Sequence, residues 1–119
     1  MPNFPPFVFQ AMPEDNKKDI STNPTDDDGT PLVGATTTYA PLPGCTLVQP
    51  PTDGDHSGDA LWVTVVPDPA AKSGDTVGVT ATITESSGRV STQDGQIPLT
   101  TGGATGAGFL ESAPRPINP

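Results

Sequence analysis

Thr76-Val77-Gly78-Val79-Thr80-Ala81-Thr82-Ile83-Thr84 is the stretch that decides the fold class. Val77, Val79, Ala81 and Ile83 fall on one side of an extended chain. Thr76, Gly78, Thr80, Thr82 and Thr84 fall on the other. Successive side chains of a strand point to opposite faces, so this period of two predicts a half-buried β-strand. Seventeen threonines in the chain suit the same structure, because a pleated surface accepts β-branching.

Working outward, Glu85-Ser86-Ser87-Gly88 reads as a turn, and Arg89–Thr92 starts a return strand. Asp94-Gly95 marks a second turn, followed by a short strand over Gln96–Thr101 with Pro98 at a bulge or edge. Upstream, Leu61-Trp62-Val63-Thr64-Val65-Val66 is a β-rich run stopped by Pro67-Asp68-Pro69. Its alternation puts Trp62, Thr64 and Val66 opposite Leu61, Val63 and Val65. Two shorter strands are expected at Val33–Tyr39 and Cys45–Gln49. Glu14–Lys18 has room for one helical turn, and Asp26-Asp27-Asp28-Gly29 for a reverse turn. No longer amphipathic helix and no internal repeat is evident.

The ends differ from this middle. Residues 1–31 read as an extended N-terminal arm and acidic loop. Pro2, Pro5, Pro6 and Pro13 forbid a continuous helix or a central strand there. Three of the four phenylalanines, Phe4, Phe7 and Phe9, lie in this arm beside Val8. So apolar an arm calls for a surface to dock on, either its own domain or a partner. Residues 102–119 read as a Gly/Pro-rich C-terminal arm. A flexible glycine run over 102–108 is followed by Phe109 and Leu110 and by the proline-punctuated end that carries Ile117. Between the arms, residues 32–101 form the one domain.

Composition narrows the function classes. With 119 residues, 32% apolar, and Gly 13 plus Pro 16, the core is modest. A formal net charge of −9 repels phosphate backbones and anionic bilayers, which argues against nucleic acid and membrane partners. Cys45 is the sole cysteine, so no internal disulfide forms; it reads as a small buried side chain. The start lacks a basic region and a sufficient apolar run for a signal peptide, so synthesis in a cytoplasm is expected.

Little here points to catalysis. His56 is the one histidine, and its sequence neighbours Asp55 and Ser57 cannot aim at it with triad geometry. One Cys and one His do not make a tetrahedral zinc set, and no phosphate-binding glycine motif is present. The sharpest motif is Asp53-Gly54-Asp55-His56-Ser57-Gly58-Asp59. Asp53, Asp55 and Ser57 occupy positions 1, 3 and 5 of a calcium loop, with glycine at position 6. Thr64 stands at position 12, where a bidentate Glu belongs, so a plain acidic turn is the simpler reading. No cofactor is therefore expected, calcium being the one candidate. Trp62 reads as a core or interface side chain rather than a stacking platform.

Lys72-Ser73-Gly74-Asp75-Thr76 through Ile83-Thr84-Glu85-Ser86-Ser87-Gly88 resembles a bacterial immunoglobulin-like repeat, with its Gly-Asp turn, alternating Val/Thr strand and Ser/Gly turn. The resemblance covers 17 residues. It implies an all-β protein, a small Ig-like β-sandwich with extended, Pro-rich N- and C-terminal arms. Too few residues follow Gly88 for the remaining strands of such a repeat, so the first half must supply them in a different order. Modules of this kind decorate or cement phage capsids and also occur in surface adhesins. With no export signal, the first context is expected: a non-enzymatic virion protein. Its partners would be the major capsid protein or other virion subunits, contacted as a homo-oligomer on the particle. Phe4, Phe7, Val8, Phe9, Phe109, Leu110 and Ile117 would then be the interface residues. The alternative is a cell-surface or glycan-binding adhesion module.

Overall fold

The computed structural model describes residues 3–25, 29–102, 108 and 110–117. The chain is all-β. Its strands are β1 (Asn3–Val8), β2 (Met12–Pro13), β3 (Lys18–Ser21), β4 (Thr36–Pro41), β5 (Cys45–Val48), β6 (Trp62–Pro67), β7 (Thr76–Thr84) and β8 (Val90–Thr100). They form two sheets. One has the order β1-β8-β7-β4, with β2 also on β8; the other has the order β3-β6-β5. All pairs are antiparallel except those of β1 and β2 with β8, which are parallel.

The alternation read in β7 is realised. Val77, Val79, Ala81 and Ile83 are buried, while Thr80 and Thr82 are half-buried and Thr76 and Thr84 exposed. Val77 and Val79 meet Ile97 and Leu99 of β8, Val63 and Val65 of β6, Ile20, Met12 and Cys45 in one core between the sheets. Full burial of side chains this size contributes roughly 1.5–3 kcal/mol each. Gly78 interrupts the β7 pattern for a steric reason: its φ is +150°, and a Cβ there would run into the Gly95 carbonyl oxygen.

Several expectations are corrected. Asp94-Gly95 is no turn, because β8 runs unbroken through both and pairs with β7 from Val90 to Pro98. The Asp94 carboxylate accepts a 2.8 Å hydrogen bond from the Thr80 hydroxyl across the ladder. Gly95 supplies the flat spot on which a ring rests. Glu14–Lys18 makes no helical turn: Asn16 N–H donates to the Pro13 carbonyl, and Lys18 already begins β3. The strand expected from Val33 starts at Thr36, and Val33 itself is exposed. Residues 3–21, read as arm, supply β1, β2 and β3 to the two sheets. The Asp26–Asp28 stretch lies outside the described residues.

Candidate interaction surface

β1 is an edge strand that could not be a central one. Pro5 and Pro6 fall where its register against β8 shifts, between Phe4↔Gln93 and Phe7↔Gly95. Proline is tolerated at such a bulge because the ladder is already interrupted there. The Gln93 side-chain amide bridges the gap with a 2.9 Å bond to the Pro5 carbonyl. Phe9 ends the segment: its N–H donates to the Gln96 carbonyl, and its ring packs on the core.

Pairing with β8 does not hide the apolar side chains of β1. Phe4 is 42% exposed, Phe7 55% and Val8 60%. Phe7 stands edge-on to Phe9, ring centres 4.8 Å apart, so the two rings hold each other in place. Phe4 forms one wall of an open groove of about 680 Å³, with Leu32, Ile83, Ser91 and Arg89 among the other walls. Phe7 and Phe9 border a second hollow of about 290 Å³ that reaches Ile20 and Ala81. The exposed Phe4 and Phe7 rings thus stand beside two depressions whose walls mix apolar side chains with polar ones such as Asn23, Ser91 and Gln93.

At the other end, Leu110 and Ile117 are fully exposed, and residues 110–117 contain no strand. Phe109 lies outside the described residues.

The acidic 53–59 segment is a loop. Asp53 accepts a 2.7 Å salt bridge from Lys17. Gly58 N–H donates to the Pro51 carbonyl, and Asp59 caps the chain with a 3.0 Å bond from Leu61 N–H. Asp55 and Ser57 are exposed. Among the described residues, no group of three or more His, Cys, Asp or Glu side chains is placed to hold a metal ion.

Sequence reasoning gave no warning of the pairing between His56 and Trp62, whose rings stack with centres 3.4 Å apart and planes 10° apart. Five residues separate them, a spacing that carries no signal until the loop is folded. Cys45 is buried as expected; its thiol donates to the Gly78 and Leu42 carbonyls, and burial pushes its pKa up. Among the described residues, no helix is long and apolar enough to cross a membrane.

Compared with protein-family models, curated proteins and solved structures, the chain finds no match.

Proposed function

We propose that this chain is a non-enzymatic structural protein that attaches to a larger protein assembly through the exposed apolar side chains of β1 and its C-terminal arm. The assembly we favour is a phage capsid, which the chain decorates or cements. The observation that carries the reading is the exposure of Phe4, Phe7 and Val8 on a strand already docked on its own domain. Large apolar side chains grouped this way on a chain of charge −9 mark a surface that meets protein.

The strand order, set beside that of the immunoglobulin fold, supports the module reading. In that fold, sheet B-E-D faces sheet C-F-G. Here β3-β6-β5 faces β4-β7-β8, in the same chain order. The first half of the chain thus supplies the earlier strands in the usual sequence, and the 76–84 strand takes the penultimate place rather than an early one.

The test uses the full chain and capsids purified without it. Co-sedimentation of the wild type in fixed stoichiometry, lost in a folded Phe4→Ser/Phe7→Ser/Val8→Thr variant, is the expected result. A wild type that stays in the supernatant with every capsid tried ends the capsid reading.

A further inference from the structure

Among the described residues five strands have a free edge: β1, β2 and β4 in one sheet, β3 and β5 in the other, β2 being only the two residues Met12–Pro13. An unpaired edge invites another chain, and folds blunt it with prolines, bulges, charges or brevity. β1 carries Pro5-Pro6 and a register shift. β3 is four residues long and charged at Lys18 and Asp19. β5 is also four residues long. β4, Thr36-Thr37-Thr38-Tyr39-Ala40-Pro41, has six residues, no charge and an unbroken register against β7. Among the described strands it is the edge left open, apart from Pro41 at its end.

The direction of its backbone groups follows from one bond. Leu42 N–H donates to the Gly78 carbonyl of β7. Alternation then turns Ala40, Thr38 and Thr36 toward β7, and turns Thr37, Tyr39 and Pro41 toward the free edge. Those three offer carbonyls outward, and Thr37 and Tyr39 also offer N–H groups.

The C-terminal arm is shaped to meet such an edge. In Ala113-Pro114-Arg115-Pro116-Ile117, proline removes the N–H at every second position. An extended chain of this pattern has all its donors, on Ala113, Arg115 and Ile117, along one side. It can add to a sheet edge but cannot template a further strand. Laid antiparallel, its three donor positions match Ile117 to Thr37, Arg115 to Tyr39 and Ala113 to Pro41. Charge favours the same union. Residues 1–102 carry four Lys/Arg and thirteen Asp/Glu, whereas residues 103–119 carry one of each. Two bodies repel, but a neutral arm crosses without that cost. The arm does not lie on its own β4, since Leu110 and Ile117 are fully exposed. Nine residues separate Thr100 from Leu110, enough to span roughly 30 Å to a neighbour.

We infer that the β4 edge of one copy receives residues 113–117 of a second copy by strand addition. The inference goes beyond the capsid reading and is tested without any particle. Sedimentation velocity of the full chain over a wide concentration range should show a dimer or longer species. Thr37→Pro blocks the free edge without touching the β7 ladder, and Arg115→Pro removes the central donor of the arm. Each should weaken association about tenfold or more while leaving the monomer's melting temperature unchanged. Mixing the two variants should restore association, because one intact edge then meets one intact arm. A wild type that stays monomeric at all concentrations overturns the proposal, and so does association that neither variant weakens.

Discussion

The ring of Phe9 rests on Gly95: a Cβ added to that glycine would stand 2.7 Å from Phe9 Cε2. Gly95 also pairs with Phe7 in the β1–β8 ladder, so the seat of one ring and the register of the other share one residue. Gly95→Ala should therefore lift Phe9 and loosen β1 while leaving β3 to β8 folded. The expected cost is about 1–2 kcal/mol, part of what a fully buried phenylalanine is worth. Limited proteolysis should cut the variant near residues 3–9 sooner than the wild type, and urea unfolding should show the loss. Unchanged cleavage would remove the seat from the account.

Gly78→Ala should be far more harmful. The added methyl meets the Gly95 carbonyl, which is backbone and cannot swing away, and the positive φ adds strain. A loss of about 3 kcal/mol or more is expected in chemical denaturation. Gly58→Ala separates the two effects, since its φ is +78° with nothing within 4 Å. It should cost only about 1–2 kcal/mol.

Cys45 should resist thiol reagents in the native state and react at the rate of unfolding. Burial holds its pKa above the ordinary value of 9.0, and the Asp68 charge pushes the same way. The folded thiol thus keeps its proton at a pH where the unfolded thiol has lost it. The unfolded state then binds fewer protons, so stability falls as pH rises through and above about 9, by up to roughly 1.4 kcal/mol per pH unit in that window. Cys45→Ala should flatten this part of the pH profile, measured by urea midpoints.

His56→Ala should uncover one face of Trp62, the only tryptophan. Its emission should shift to the red and become easier to quench with iodide. The change in stability should stay near 1 kcal/mol or less, the scale of one ring pair. An unshifted spectrum would mean that the stack does not persist in solution.

How far the sequence could be read depended on whether a signal was local. The β7 pattern was legible because one strand with one buried face writes its period into nine consecutive residues. β8 was half legible: Arg89–Thr92 and Gln96–Thr101 were seen, but Asp94-Gly95 looked like a turn. Nothing local says that the glycine lies under Phe9, a residue 86 positions away. β1 and β3 went unread for the same cause. Proline in Asn3–Val8 hides a strand whose partner is the far end of the chain, and Lys18–Ser21 has a single fully buried residue, Ile20. The exposed apolar side chains of the arms were visible in composition, whereas the open edge of β4 emerged only from comparing the strand edges in three dimensions.

The parallel pairing of β1 with β8 sets how the molecule bears load. The first strand and the last lie side by side and point the same way, with Asn3 beside Thr92 and Val8 beside Gln96. A pull between the two ends of the chain drags these strands past each other along their length. The ladder bonds are then loaded together in shear, instead of being unzipped one after another. Fastened by both ends, the fold becomes a link that stiffens against tension.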